Sequence, residues 1–244
     1  MSFLVSKYRV AGNDFLLLES AHLPEETDLS LLARTLCQGK EGADGLILAR
    51  QDPEVDVAMR IFNADGGEAE GCGNGLCALL QFLQVERTCR IRMGKRIVRG
   101  FREGDLSVVS LGIPEGTECN FAENIHFVHT GAPHLVHFVA DVDGFPLKSF
   151  AEPWHREFNV NIATVKEKSL FVRTYERGVG ETLSCGTGAA AVAWIASLVQ
   201  GIQMPLELFF RGGCLRISCE EDELMLANRA ERLFSIYTEK SSKV

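Results

Sequence analysis

Apolar positions along the chain fall into two rhythms. Short apolar or alternating runs bounded by Gly, Pro, Asn and Asp predict strands at 45–50 and 55–63. Three more follow between Cys89 and Leu111, with turns at Met93-Gly94-Lys95 and Glu103-Gly104-Asp105. Residues 8–20 hold two such runs around the turn Ala11-Gly12-Asn13-Asp14. A 3.6-residue rhythm takes over at 28–38, where Leu29, Leu32, Ala33 and Leu36 form a stripe, Asp28 stands at the N-cap and Gly39 ends the helix. Two further helices are predicted after glycine-rich loops, one over 73–84 and one from Gly186 to a stop at Gly201. The polar, turn-rich stretch 114–120 reads as a domain boundary. Beyond it the plan repeats. β-like runs at 124–130 and 134–140 flank Gly131-Ala132-Pro133, and a hairpin of 159–165 with 169–175 turns at Lys166-Glu167-Lys168. Strands are predicted at 206–210, 215–219, 223–227 and 232–237.

The repetition extends to single residues. Cys72-Gly73-Asn74-Gly75 returns 113 positions later as Cys185-Gly186-Thr187-Gly188. The same shift pairs Arg60 with Arg173, Phe62 with Tyr175, Gly67 with Gly180 and Glu68 with Glu181. Two domains are expected, 1–115 and 116–229, with the end of the chain, 230–244, returning a strand to the first. The helix after Cys185 is apolar nearly all round, through Ala189, Ala190, Ala191, Val192, Ala193, Trp194, Ile195 and Ala196. Its sheet should therefore wrap it rather than lie against one side. An open doubly wound sheet fits poorly, because few helices separate the strands.

Composition adds exclusions. Of the 244 residues 46% are hydrophobic and 24% charged, enough to build a core in each half. A net charge of −8 argues against nucleic acid and anionic membrane as partners. Basic residues do cluster over 87–102, but strand-like residues interrupt them, and the stretch reads as a solvated hairpin rather than a polyanion site. The N-terminus lacks a secretory pattern and no apolar run reaches spanning length, so a cytoplasmic protein is expected. Eight cysteines are present without any Cys-x-x-Cys spacing, so disulfide-framework and zinc readings lack their basis. His126, His129, His134 and His137 are spaced so that strand neighbours point to opposite faces, and no metal site is expected. Glu68 and Glu181 read as helix caps sooner than as general bases. Trp194, Phe209 and Phe210 read as core.

The repeated cysteines carry the chemistry. A thiol at a helix mouth is acidified by free N–H groups and by the positive end of the helix dipole. The same N–H groups form an anion pocket that glycines allow a ligand to approach closely. Two such mouths could cradle one α-carboxylate with a sulfur on each side. Cys72 and Cys185 would then act as thiolate and thiol on opposite faces of an amino acid's α-carbon, inverting it without metal or pyridoxal cofactor. The alternatives for the pair are a disulfide, which in a reducing compartment would be an inactivated form, and a phosphate site, for which both loops lack the P-loop continuation.

These residues resemble the diaminopimelate epimerase family. The resemblance rests on Asn63-Ala64-Asp65-Gly66-Gly67-Glu68-Ala69 before the first cysteine motif and Glu176-Arg177-Gly178-Val179-Gly180-Glu181-Thr182 before the second. Gly12-Asn13-Asp14-Phe15, Gly42-Ala43-Asp44-Gly45 and Gly131-Ala132-Pro133-His134 extend it over nearly the whole chain. It implies an α/β (α+β) fold of two pseudo-symmetric domains, each a strongly curved, mostly antiparallel sheet around a central helix, with the active site between them. It implies cofactor-independent interconversion of LL- and meso-diaminopimelate, in lysine and peptidoglycan biosynthesis, by Cys72 and Cys185. By position, Gly73, Asn74, Gly186 and Thr187 would bind the α-carboxylate. Asn13, Asn63, Asn159 and Arg177 would hold the substrate, and Glu176 and His134 would lie near its α-amine. The partner expected is a small amino-acid substrate, with a homodimer allowed.

Two departures bear on specificity. Ala132 stands where the family usually has Asn, and Leu76-Cys77 follows the first motif directly where the family has one residue more. With one polar anchor fewer, a racemase of broader or altered substrate, such as glutamate or aspartate, is the alternative. A proline or hydroxyproline racemase is a further one. A non-catalytic amino-acid-binding module is a third, against which the retention of both cysteines argues.

Overall fold

The computed structural model describes residues 2–69, 71–167 and 169–239. The chain divides into two compact units, one holding the residues up to Val109 and those from Arg229 on, the other running from Ser110 to Asn228. Both are α+β, and both use the same order of elements.

In the first unit β1 (Ser2–Val10) and β2 (Asn13–Glu19) form an antiparallel hairpin. Ala11 and Gly12 turn it with positive φ values of 46° and 85°, the two-residue loop whose twist matches that of the strands. After α1 (Leu29–Cys37), β3 (Gly45–Arg50) pairs parallel to β2, with Gly45 opposite Phe15. β4 (Val57–Asn63) pairs antiparallel to β3, and the short β5 (Glu68–Ala69) folds back on β4. Then come α2 (Gly73–Phe82) and the meander β6 (Cys89–Met93), β7 (Arg96–Glu103) and β8 (Leu106–Gly112). The chain's last strand, Glu231–Glu239, pairs antiparallel with β1, while 240–244 lie outside the described residues.

Two faces of this sheet are covered, which explains why β3 reads as an unbroken apolar run. On one face Leu16, Leu18, Leu46, Leu48 and Phe62 pack with Leu32, Ala33 and Cys37 of α1. On the other, Ile47 lies against Gly75 of α2. Asp28 caps α1 as expected, its Oδ1 accepting the Leu31 N–H at 2.9 Å. Burying each such Leu or Ile contributes about 2 kcal/mol before the cost of ordering.

The second unit opens with a departure from the sequence reading. The boundary stretch contains a strand, β9 (Glu115–Asn120), paired antiparallel to β10 (Ile125–His129). Its side chains are nearly all exposed, so it carries no apolar alternation to betray it. β11 (Pro133–Phe138) follows, then α3 (Leu147–Ala151), a helix too short for a periodic signal. β12 (Asn159–Lys166) pairs parallel to β11 with His134 opposite Asn159, and β13 (Ser169–Glu176) pairs antiparallel to β12. Of the turn expected between these strands, Lys168 lies outside the described residues. The short β14 (Gly180–Thr182), α4 (Gly186–Gln200) and the meander β15 (Leu206–Phe210), β16 (Gly213–Glu220) and β17 (Glu223–Arg229) complete the unit.

α4 packs against β10, β11, β12, β15 and β16, so its sheet wraps it. It ends on Gly201 in the left-handed region, φ 68°. Trp194 is a partial exception to the core reading: it is half-buried and its indole N–H donates to Thr117 at 3.0 Å. α3 covers the outer face through Leu135, Val142, Leu147, Ala151, Val160 and Ile162. In the basic stretch, Arg92 is tied to Asp52 and Glu54, both at 2.7 Å. Among the described residues no helix is long and apolar enough to cross a membrane.

Candidate functional site

In the first unit Cys72 is the N-cap of α2. Its backbone is extended (φ −155°, ψ 119°), and its sulfur accepts the Gly75 N–H at 3.3 Å. A thiol thus occupies the role that Ser or Asp usually fills, and both the N–H and the helix dipole favour its ionised form. Asn74, the second residue of α2, is buried, and its amide donates to Asn13 Oδ1 at 2.9 Å. Asn13 in turn donates to Asp44, whose carboxylate also takes the Asp14 N–H at 2.9 Å. The hairpin turn therefore fixes the amide at the helix mouth. Asn63 ends β4 with an exposed side chain that makes no hydrogen bond among the described residues. Gly66 closes the loop after it at φ 87°, where a Cβ would lie 2.6 Å from the Ser30 carbonyl oxygen.

In the second unit Cys185 is the N-cap of α4, extended at φ −137° and ψ 114°. Its sulfur accepts the Gly188 N–H at 3.4 Å and lies 3.5 Å from the Thr187 hydroxyl. The N–H groups of Gly186 and Thr187 meet no acceptor among the described residues, as befits the first turn of a helix. Thr130 donates to the Thr187 carbonyl at 2.8 Å, anchoring that turn. His134 Nε2 is 3.0 Å from the Thr187 hydroxyl, and the ring is fully buried. Burial, with a smaller contribution from His129, pushes the His134 pKa down to about 3, so the ring is neutral. The Glu176 carboxyl accepts the Thr182 hydroxyl at 2.6 Å and also bonds the Cys185 thiol. Burial raises the Glu176 pKa against the opposing pull of those two bonds. Asn159 Oδ1 accepts the Arg177 N–H at 2.9 Å, while the exposed Arg177 guanidinium makes no bond or ion pair among the described residues.

Each unit by itself therefore gathers a cluster of the expected residues around its own cysteine. Cys72, Gly73, Asn74 and Asn13 are joined in one, and Cys185, Gly186, Thr187, His134 and Glu176 in the other, with Asn159 and Arg177 beside them. The other cysteines differ from this pair: Cys77 is fully buried, and desolvation raises its pKa. Among the described residues no group of three His, Cys, Asp or Glu could hold a metal.

The structure corrects the reading of Glu68 and Glu181. Neither caps a helix. Glu68 forms a two-point ion pair with Arg60 (2.7 and 2.8 Å), and Glu181 forms the matching pair with Arg173 (2.7 and 3.0 Å). Their pKa values are lowered, first by the arginine hydrogen bond in each case. These pairs staple β5 to β4 and β14 to β13, and so set the loops that lead into Cys72 and Cys185.

Sequence reasoning passed over Thr130, Asn161 and Thr174. Asn161 and Thr174 face each other across β12 and β13, where the first unit has Ile47 opposite Ile61. A polar pair replacing an apolar pair in a buried repeat position is a signal readable once the register is known.

Comparison with known proteins identifies the family. The family model described as diaminopimelate epimerase matches residues 5–108 and 126–231. A diaminopimelate epimerase of Archaeoglobus fulgidus is 32% identical, over 96% of this chain and 95% of its own length. One from Campylobacter jejuni is 33% identical, over 93% and 92%. Among solved structures, a PhzF-family phenazine biosynthesis protein of Bacillus anthracis aligns with a TM-score of 0.73 at 15% identity, covering 98% of this chain and 100% of that one. A hydroxyproline epimerase of Agrobacterium vitis aligns at 0.65 and 11% identity, covering 97% and 91%. At these identities the structural likeness speaks to fold.

Proposed function

The chain belongs to the diaminopimelate epimerase family, and we propose that it interconverts LL- and meso-diaminopimelate by proton transfer at one α-carbon. The observation that carries this reading is the pair of N-capping cysteines, Cys72 and Cys185, each with a glycine N–H turned onto its sulfur.

The substrate's α-carboxylate is taken up by helix N-termini, where Gly73, Asn74, Gly186 and Thr187 supply N–H groups. One cysteine, as thiolate, removes the α-proton, and the C–H electron pair moves into the carboxylate to give an enediolate-like state. The N–H groups and helix dipoles stabilise the charge that accumulates there. The other cysteine, as thiol, delivers its proton to the opposite face of the carbon. The configuration is inverted, one sulfur has gained a proton and the other has lost one, so the reverse reaction starts from the enzyme form that the forward reaction leaves. Neutral His134 and buried Glu176 serve the α-amine and the Cys185 sulfur. Arg177 pairs with the distal carboxylate through its planar fork, and Asn13, Asn63 and Asn159 order the site. The two sulfurs must differ by one proton, which requires a bell-shaped pH profile.

The test is incubation of reduced enzyme in deuterated water with LL-diaminopimelate, following α-deuterium uptake and stereochemistry. Uptake with inversion is expected, and no exchange would sink the proposal. Parallel incubations with glutamate and aspartate address Ala132. Comparable kcat/KM for either would make the chain a broader racemase.

A further inference from the structure

Behind the Cys185 helix mouth lies a buried polar cluster, at positions that are apolar in the first unit. Asn161 is fully buried in the middle of β12, where an amide is costly unless every group is bonded. Its Nδ2 lies 2.9 Å from the Leu135 carbonyl, 3.2 Å from that of Asn159 and 3.1 Å from His134 Nδ1. Its Oδ1 accepts the Thr174 hydroxyl at 2.8 Å. In the first unit the corresponding positions are Ile47, Ile61 and Phe15, matched through the pairings Gly45 with Phe15 and Asn159 with His134.

The donors and acceptors leave one consistent assignment. Two backbone carbonyls can only accept, so the NH2 end of Asn161 must face them, its two protons shared among these carbonyls and His134 Nδ1, and Thr174 donates to the oxygen end. His134 Nδ1 then faces a donor and must carry the lone pair. Its proton is on Nε2, pointing at the Thr187 oxygen 3.0 Å away. With one lone pair of that oxygen accepting from His134, the hydroxyl proton of Thr187 can turn to Cys185 Sγ, 3.5 Å away, and is the donor of that contact whenever the sulfur is a thiolate, which has no proton of its own to give. A protonated His134 would set donor against donor at Asn161, so the cluster opposes the cation as burial does.

We propose that Asn161, oriented by Thr174, is a positioning residue that fixes the His134 proton on Nε2 and so directs the Thr187 hydroxyl onto the Cys185 sulfur. What stands behind the two helix mouths is unequal: Cys185 receives a hydroxyl donor through a polar relay, while Gly75, in the first turn of α2, packs on Ile47 and Ile61. The catalytic meaning of this inequality rests on the function proposed above, but the proton arrangement does not.

The experiment therefore has a readout apart from turnover. Nitrogen NMR of imidazole-labelled wild-type protein reports the tautomer, and neutral Nε2–H for His134 at pH 7 is expected. An Nδ1–H tautomer or an imidazolium overturns the proposal outright. Alkylation of Cys185 against pH, in a Cys72→Ala background, reports its thiolate. Asn161→Ala should raise its apparent pKa by about one unit, roughly a tenfold loss of thiolate below that pKa. Thr174→Val should shift it the same way, and Thr174→Ser should restore it. An unchanged titration in folded Asn161→Ala or Thr174→Val, judged by matching circular dichroism, also overturns the proposal. If these shifts occur while Cys185→Ala keeps full epimerase activity, the functional reading fails and the relay stands.

Discussion

The imidazole Nε2 of His134 lies 3.0 Å from the hydroxyl oxygen of Thr187, at the mouth of a helix and out of reach of solvent. Burial holds the folded-state pKa of His134 at about 3, well below the ordinary value of 6.5. As pH falls through that ordinary value, the unfolded chain takes up a proton that the folded protein refuses. Stability is therefore lost progressively between about pH 6.5 and 3, at up to about 1.4 kcal/mol per pH unit from this group. Urea midpoints measured at pH 7, 6 and 5 should fall more steeply in the wild type than in His134→Gln. Equal slopes would contradict the buried, neutral ring.

The two cysteines are predicted to be jointly required. Cys72→Ala and Cys185→Ala should each abolish epimerisation, measured by polarimetry or by a coupled assay for the meso product, with unchanged circular dichroism. Full activity in either variant would show that the corresponding cysteine is not an acid/base residue.

The repeated ion pairs should differ in weight. Arg60 and Glu68 are 42% and 46% exposed, and Arg60→Ala should cost less than about 1 kcal/mol. Arg173 is 10% exposed and also donates to the Val142 and Phe145 carbonyls. Its loss would strand those carbonyls and leave Glu181 with Arg211 alone, 3.0 Å away, at a cost of about 2–4 kcal/mol. Glu181 has a lowered pKa, so the stabilisation is present above the ordinary glutamate range and lost as pH falls below it. Denaturant melts of both variants at pH 7 give the comparison, and equal losses would refute the asymmetry.

Glycine is needed more strictly in one motif than in the other. A Cβ on Gly188 would lie 2.5 Å from Asn161 Oδ1, an atom locked by Thr174, and 3.3 Å from the Cys185 sulfur. On Gly75 the nearest atom is the flexible end of Ile47, at 3.1 Å. Gly188→Ala should lower both thermal stability and kcat sharply, while Gly75→Ala should be milder on stability. The reverse order in a thermal melt would count against the packing described.

Much of this protein was legible in the chain itself. The Cys-Gly-x-Gly repeat, the helix at Asp28, the strands and their turns, and the family all follow from interactions between near neighbours: caps, periodicity and positive-φ loops leave their marks within a few residues. The tertiary structure decided what depends on distant partners. It made a strand of β9, whose exposed polar residues pair with β10 for their backbone alone. It turned Glu68 and Glu181 from caps into ion-pair partners, because strand pairing brings in Arg60 and Arg173. And it gave meaning to Asn161, which in sequence is one polar residue in a strand. Only the register that sets it against Thr174, His134 and the mouth of α4 makes its burial affordable, since an amide can leave water only where each of its hydrogen-bonding groups finds a partner.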